Sequence, residues 1–141
     1  MSFPSKILHA DDDEFVLAIV AEAIAKEEDD TEIASCTDGN DLVDKVHEDK
    51  PDLILLDLNM PGIDGPTALQ ILRTGEFKID TPIIFYTGYE DIKMQQNYEK
   101  LGVIGVVHKS IEPSDIYPQI LSLWMHYKGE GWGFLNFILL L

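Results

Sequence analysis

The chain has 141 residues, of which 45% are apolar and 26% are charged. This composition is typical of one ordinary globular domain and not of a disordered or fibrous protein. Acidic residues outnumber basic ones by 26 to 10, so the formal net charge is −16, which argues against binding to the phosphates of nucleic acids. The acidic excess is concentrated in residues 1–50, which contain 15 acidic and 4 basic side chains.

Short strand-like runs alternate with helical ones along the chain. The predicted strands cover residues 6–10, 31–36, 52–57, 81–87 and 103–108. The predicted helices cover residues 13–27, 41–48, 66–74 and 91–101, and a final helix begins after Ser114 or Asp115, so that Pro118 falls in its first turn. Five strands that alternate with five helices predict one α/β domain, with a parallel sheet covered by helices on both faces.

The sequence has none of the marks of a secreted or membrane-spanning protein. Cys36 is the one cysteine, which excludes an internal disulfide, and no basic and apolar cleavable signal stands at the N-terminus. No apolar run reaches the roughly 20 residues of a membrane-spanning helix, so we predict a cytoplasmic protein. Residues 129–141 form an apolar tail of unknown role after a domain over residues 1–128; a truncation remnant, a partner-docking segment and a self-association segment remain alternatives.

Chemically selective side chains follow or end four of the predicted strands. They are Asp11, Asp12, Asp57, Thr87 and Lys109. Because ligands of parallel α/β folds bind at the carboxyl ends of the strands, we expect these side chains to share one crevice. Three carboxylates in one crevice repel one another, so either a carboxyl group is protonated or a cation lies between them.

Mg²⁺ is the cation that we favour for this crevice. It takes oxygen ligands, keeps several waters and commonly uses one or two carboxylates together with a phosphate. This suits Asp12 and Asp57 as direct ligands and Asp11 as a ligand through water. An ammonium group and a hydroxyl group beside a carboxylate are what a transferred phosphoryl group requires, so Lys109 and Thr87 would share the charge of its oxygens.

Four segments of the sequence resemble the receiver domains of two-component response regulators, and the resemblance extends over residues 5–127. They are Ile7–Asp13 with its acidic pair, Asp52–Gly65 (DLILLDLNMPGIDG), Phe85–Gly88 with its threonine and Val106–Lys109 with its lysine. The resemblance implies a flavodoxin-like (βα)5 fold with strand order 2-1-3-4-5.

The same resemblance implies a role for each site residue. Asp57 would accept a phosphoryl group from a phosphohistidine of a histidine kinase or histidine phosphotransfer protein, and Thr87 and Lys109 would bind its oxygens. The Mg²⁺ ligands would be Asp11, Asp12, Asp57 and the backbone carbonyl of Asn59. The output would be a changed surface for a downstream protein target, formed by the fourth helix, fifth strand and fifth helix. No nucleic acid and no membrane span is expected, and a homodimer is left open.

Two positions depart from the family pattern. Ser110 follows Lys109 where the family usually has a proline, often with a cis peptide bond, and without proline a cis bond costs roughly 3 kcal/mol. Val106 stands where the family tends to place an aromatic switch residue, so the usual coupling of a buried ring to the threonine cannot operate in its common form. These departures leave open a degenerate receiver that acts as a scaffold without phosphorylation.

A phosphatase that works through an aspartyl-phosphate is a further alternative. Such an enzyme would need a second aspartate as general acid two residues after its nucleophile, and this chain has Asn59 there. In the receiver family, the positions of Asn59 and Tyr89 adjust the rate of dephosphorylation.

The remaining histidines and the cysteine are predicted to carry no chemistry. His9 and His108 are expected to pack on the sheet, whereas His47 and His126 are expected to face solvent from helices. Cys36 is predicted to be a small buried apolar group.

Overall fold

Five strands form a parallel sheet in the computed structural model, which describes residues 3–76, 78–88 and 99–129. The strands are β1 (Lys6–Ala10), β2 (Glu32–Cys36), β3 (Leu53–Leu56), β4 (Ile83–Thr87) and β5 (Val103–His108). Their order across the sheet is β2-β1-β3-β4-β5, and each neighbouring pair is parallel. The predicted flavodoxin-like fold and its strand order are therefore confirmed.

Four α-helices and a short 3-10 helix lie within the described residues. They are α1 (Glu14–Ala25), α2 (Gly39–Asp49), α3 (Gly65–Thr74), the 3-10 helix Glu99–Leu101 and α4 (Pro113–Tyr127). Most of the helix predicted over residues 91–101 lies outside the described residues, and so do residues 130–141 of the apolar tail. No helix in the described ranges combines the length and the apolarity that crossing a membrane requires.

The C-terminal helix α4 begins earlier than the sequence predicted. Its first residue is Pro113 and its N-cap residue is Glu112, so Pro118 lies inside the helix and not in its first turn. Proline is well suited to the first helical position, because an N–H group there has no acceptor within the helix and the φ angle of proline is already helical. The prediction that α4 begins after Ser114 or Asp115 was therefore wrong.

Two layers of helices cover the sheet, one on each face. Strand β3 is at the centre of the sheet, between the two layers. All four of its aliphatic side chains are fully buried, as expected for a central parallel strand. Leu8 of β1 and Ile54 of β3 pack with α2 and α3, whereas Ile7 of β1 and Leu55 of β3 pack with α1 and α4. This alternation buries both faces of the sheet and leaves the loops at the strand ends available to form a site.

Arg73, the one arginine of the chain, ties the end of α3 to two neighbouring segments. Its guanidinium group donates hydrogen bonds to three backbone carbonyl groups, those of Ile79 at 2.8 Å, Leu101 at 2.6 Å and Thr81. Ile79 and Thr81 precede β4, and Leu101 precedes β5, so one side chain holds the entries to two strands. The five donors of a guanidinium group in a planar fork make this possible.

We expect Arg73→Met to lower the free energy of unfolding by about 3 kcal/mol, because three carbonyl groups in a partly buried site lose a charged donor. Thermal or urea unfolding measures the change. Arg73→Lys is the matched control, since it keeps the charge but has a single ammonium group, and its loss should be intermediate. Equal stability of Arg73→Met and the wild type would show that water replaces the three bonds at no cost.

Candidate functional site

Hydrogen bonds that continue the sheet hold three charged residues at the carboxyl ends of its strands. The Asp11 N–H donates to the last carbonyl of β2 at 3.0 Å, and the Asp57 N–H donates to the last carbonyl of β1, also at 3.0 Å. The Lys109 N–H donates to the carbonyl of Thr87 at 2.9 Å. Each backbone is thus fixed directly beyond its strand, and the side chains project into a shared crevice.

Lys109 forms ion pairs with two carboxylates at once. Its Nζ lies 2.6 Å from Oδ2 of Asp11 and 3.2 Å from Oδ2 of Asp57. Carboxylate oxygens of Asp11, Asp12 and Asp57 lie within 4.8 Å of one another. Three carboxylates and one ammonium group leave this cluster with two net negative charges. Burial strengthens the repulsion, because water is largely excluded from Asp11 and Asp57.

Asp57 is buried, with 4% of the residue exposed, and the pKa of its carboxyl group is raised above the ordinary value of 3.8. Burial is the largest cause and the charge of Asp11 is the second. The ion pair with Lys109 and the hydrogen bond that the Asn59 N–H donates to Oδ1 at 3.3 Å act in the opposite direction. The environment therefore makes the ionised form of Asp57 costly and favours a further cation beside it.

Lys109 keeps its proton in spite of being partly buried. Burial lowers the pKa of its ammonium group, but the hydrogen bond and charge of Asp11, followed by the charge of Asp57, raise it more. The net pKa is above the ordinary value of 10.5. At neutral pH, Lys109 is therefore a fixed positive charge that faces the Asp57 carboxylate.

The loop after β3 returns over the site and leads into α3. Asp64 ends the loop as the N-cap residue of α3, where its Oδ1 accepts a hydrogen bond from the Thr67 N–H at 2.8 Å. Gly65 allows a close approach that other residues would not, because a Cβ atom there would lie 2.4 Å from the carbonyl oxygen of Asp57. A steric requirement therefore explains the glycine at position 65 of the segment Asp52–Gly65. The side chain of Asn59, in the same loop, is exposed.

Thr87 is the last residue of β4 and is buried. It lies beside Lys109 through the backbone hydrogen bond that joins the two strands. Val106 is partly buried and packs on the core beneath α2 and α3. Tyr89 lies outside the described residues. The structure thus assembles Asp11, Asp12, Asp57 and Lys109 in one cluster and places Thr87 at the adjoining strand end.

The donor set of the cluster fits a hard divalent cation. It offers carboxylate oxygens only, and it combines the buried Asp11 and Asp57 with the exposed Asp12, so that one side is open to water. These are the properties of Mg²⁺ sites, which use few carboxylates and retain water molecules. Among the described residues, no other group of three acidic, histidine or cysteine side chains lies close enough to hold a metal ion.

The three adjacent aspartates after β1 have different environments. Asp11 is fully buried in the ion pair with Lys109, and Asp12 is exposed at the edge of the cluster. Asp13 is the N-cap residue of α1 and accepts hydrogen bonds from the N–H groups of Phe15 and Val16. Favourable interaction with the helix N-terminus therefore explains Asp13 but not the buried Asp11.

The structure agrees with the predictions for His9, Cys36, His47 and His126. His9 is buried with its ring edge-on to Tyr86 at 5.6 Å, and burial lowers its pKa to about 3, with a smaller effect from Lys109. Within the described part of the chain, neither ring nitrogen of His9 has a hydrogen-bond partner. Cys36 is buried and its pKa is raised to about 12, mainly by burial, so its thiol is not reactive. His47 and His126 are exposed.

Sequence reasoning missed a contact in the loop after β5. The Oγ of Ser110 lies 2.7 Å from Nδ1 of His108, and the Ser110 N–H donates to the same nitrogen at 3.1 Å. The sequence signal for this contact is a serine two residues after a histidine. The described residues contain no cis peptide bond.

Comparisons with known proteins identify relatives of the chain. A family model described as the response regulator receiver domain matches residues 7–121. The response regulator protein VraR of Staphylococcus epidermidis is 32% identical over 129 residues, which cover 89% of this chain and 58% of VraR. A protein-glutamate methylesterase/protein-glutamine glutaminase of Caldanaerobacter subterraneus is 42% identical over 69 residues, which cover 49% of this chain and 19% of that protein. The chain thus spans less than two thirds of the length of these relatives.

Solved structures have the same fold. The chemotaxis response regulator CheY4 of Vibrio cholerae superposes with a TM-score of 0.72 at 22% identity, over 86% of this chain and 99% of that chain. The BeF3-activated N-terminal receiver domain of RstA from Klebsiella pneumoniae superposes with a TM-score of 0.68 at 26% identity, over 82% of this chain and 94% of that chain. The likeness to CheY4 concerns the fold alone.

Proposed function

Because the chain belongs to the response regulator receiver domain family, we propose that Asp57 is its phosphoacceptor and that Mg²⁺ supports the reaction. Receiver domains are phosphorylated on an aspartate in two-component systems, and they bind Mg²⁺ at an acidic pocket. The proposed Mg²⁺ ligands are Asp11, Asp12, Asp57 and the backbone carbonyl of Asn59. The proposed ligands of the phosphoryl oxygens are Thr87 and Lys109.

The shared ion pair of Lys109 carries this proposal. A single ammonium group contacts the carboxylate that would be phosphorylated and a carboxylate that would hold the metal ion. A structural ion pair needs only one acid for one base, whereas this cluster holds three acids together, two of which are buried. Such an arrangement costs stability without a cation, which is typical of a site retained for binding and chemistry.

The residues of the site would act in the reaction as follows. An oxygen of the ionised Asp57 carboxylate attacks the phosphorus atom, and the bond from phosphorus to the donor nitrogen breaks as the new bond to oxygen forms. The imidazole of the donor histidine leaves with the electron pair. Lys109 and the hydroxyl group of Thr87 stabilise the negative charge on the equatorial oxygens. Mg²⁺, when bound, would supply further positive charge on the same oxygens.

A phosphatase and a degenerate scaffold receive less support. Asn59 stands where a phosphatase would need a general acid, and its exposed amide group has no acidic proton to donate. A scaffold without phosphorylation would not need the carboxylate cluster, which the structure nevertheless assembles with Lys109. The departures from the family pattern at Val106 and Ser110 are the observations that keep the scaffold as an alternative.

Family membership implies a histidine kinase as partner. We further propose that a histidine phosphotransfer protein is an alternative donor and that the output is binding of a downstream protein target. A cytoplasmic location and the absence of nucleic-acid binding remain predictions from the sequence, and a homodimer is left open. So does the division into a receiver domain over residues 1–128 and a tail over residues 129–141; the end of α4 at Tyr127 supports that boundary.

The proposal predicts that a small phosphodonor with Mg²⁺ adds one phosphoryl group per chain, as measured by intact-protein mass spectrometry. Chelation of Mg²⁺ should abolish the addition. Mg²⁺ alone should raise the melting temperature, since a ligand at a hundred times its Kd stabilises the native state by about 2.7 kcal/mol. Binding of Mg²⁺ without any phosphoryl addition, from either a small phosphodonor or a phosphohistidine protein, would contradict the proposal.

A further inference from the structure

We propose that His108 and Ser110 form a clasp that positions Lys109 for phosphoryl transfer, an inference that rests on the proposed function. The clasp is the pair of contacts from Nδ1 of His108 to the Oγ of Ser110, at 2.7 Å, and to the N–H of Ser110, at 3.1 Å. A third hydrogen bond, from the Ile111 N–H to the His108 carbonyl at 3.2 Å, closes the turn.

The hydrogen bonds determine which nitrogen of His108 is the acceptor. A backbone N–H can only donate, so Nδ1 must present its lone pair to Ser110. The hydroxyl group of Ser110 then also acts as a donor to this lone pair. The neutral ring therefore carries its proton on Nε2, a tautomer that is assigned from the contacts of Nδ1.

The clasp acts on Lys109 because its two partners are the residues immediately before and after it. The backbone of Lys109 is held on one side by its N–H bond to the Thr87 carbonyl at 2.9 Å. The clasp restrains the other side, where rotation about the bonds between Lys109 and Ser110 would otherwise redirect the lysine side chain. Nζ must reach Asp11 and Asp57 together, so a small rotation at this backbone would break at least one ion pair.

Serine can replace the restraint that a proline would give at this position. A proline restricts its own φ angle to about −65° and has no N–H group. Ser110 keeps the N–H group and uses it, together with its hydroxyl group, to tie the turn to the preceding ring. Side-chain hydrogen bonds between His108 and Ser110 thus restrain the loop.

The first test compares phosphorylation rates at saturating Mg²⁺ and phosphodonor. We expect about a threefold loss in Ser110→Ala, which removes one contact, and about a tenfold loss in His108→Leu, which removes both. Ser110→Thr keeps the hydroxyl group and should retain the wild-type rate. His108→Asn places a side-chain carbonyl oxygen where it can accept the hydrogen bond of the Ser110 N–H. Its phosphorylation rate should therefore lie between those of His108→Leu and the wild type.

The Mg²⁺ concentration for half-maximal rate distinguishes positioning from general damage to the site. It should not rise in any of the four variants, because the proposed metal ligands stay in place and loss of a Lys109 ion pair leaves their carboxylates more available to Mg²⁺. In the double variant, Ser110→Ala should have no further effect once His108→Leu is present, since both remove the same contact. Additive losses, or a loss in Ser110→Thr equal to that in Ser110→Ala, would overturn the clasp.

A second measurement does not depend on phosphorylation. The ammonium group of Lys109 should give a resolved ¹⁵N NMR signal in the wild type, because its two ion pairs slow hydrogen exchange, and this signal should broaden in His108→Leu. Absence of phosphorylation together with this broadening would contradict the proposed function and leave the clasp supported. An identical Lys109 signal in the wild type and His108→Leu would overturn the clasp whatever the phosphorylation result.

Discussion

Asp57→Asn is expected to abolish phosphorylation and, at the same time, to stabilise the metal-free protein. The amide group of asparagine has nearly the shape of the carboxylate and can still accept the hydrogen bond from the Asn59 N–H. It removes one of three negative charges that lie within 4.8 Å of one another, while Lys109 keeps its ion pair with Asp11. We expect a gain of about 1 kcal/mol, or roughly 3 °C in melting temperature for a domain of this size.

The gain should depend on pH in a defined direction. The native pKa of Asp57 is raised above 3.8, so the native state binds this proton more tightly than the unfolded state does. The contribution of Asp57 to stability is therefore fully present below its unfolded pKa and is lost as the pH rises through the native one. Asp57→Asn should exceed the wild type in stability at neutral pH and lose this advantage below about pH 4.

Asp44→Asn is the matched control, because Asp44 is exposed on α2 and also carries one negative charge. Its effect should stay within about 0.5 kcal/mol. Mg²⁺ should raise the melting temperatures of the wild type and of Asp44→Asn. It should raise the melting temperature of Asp57→Asn much less. A destabilised Asp57→Asn at neutral pH without metal would show that the carboxylate cluster is not under repulsion.

The fold was predictable because its signals are local and repeated. The four buried aliphatic residues of β3 identify a central parallel strand, and the acids and the lysine that follow the strands converge because parallel strands end at one edge of the sheet. The start of α4 was not predictable with the same accuracy. Pro113 and Pro118 both fit a first turn, and the choice between them depends on how the preceding loop packs.

The contacts that hold the site required the structure. Arg73 is separated from Leu101 by 28 residues, and the acceptors are backbone carbonyl groups, which no side-chain pattern reveals. The three adjacent aspartates after β1 could not be assigned separately either, because burial of Asp11, exposure of Asp12 and capping by Asp13 depend on the direction of the chain as it leaves the strand. The residue types predicted the chemistry of the crevice, whereas the backbone geometry decided which of the three aspartates is buried, which is exposed and which caps the helix.

Lys109→Met should have the opposite effect on stability to Asp57→Asn, although both reduce phosphorylation. Methionine has about the length of the lysine stem but leaves Asp11 and Asp57 without their cation. Loss of one partner of a buried ion pair costs about 3–5 kcal/mol, and we expect about 2–3 kcal/mol here. The smaller value follows because the Lys109 side chain is 23% exposed, so water can partly solvate the remaining charges.

Phosphorylation by a small phosphodonor should fall by about 10²–10³ in Lys109→Met, the usual cost of removing one fixed donor to developing negative charge. Lys26→Met is the control for stability, because Lys26 pairs with Glu22 at an exposed position where an ion pair contributes little. The double variant Asp57→Asn with Lys109→Met should recover part of the stability lost in Lys109→Met, since one of the two unpaired carboxylates is then neutral. If the two effects were additive instead, Lys109 and Asp57 would be energetically independent, and the ion pair that supports the proposed function would not contribute to the site.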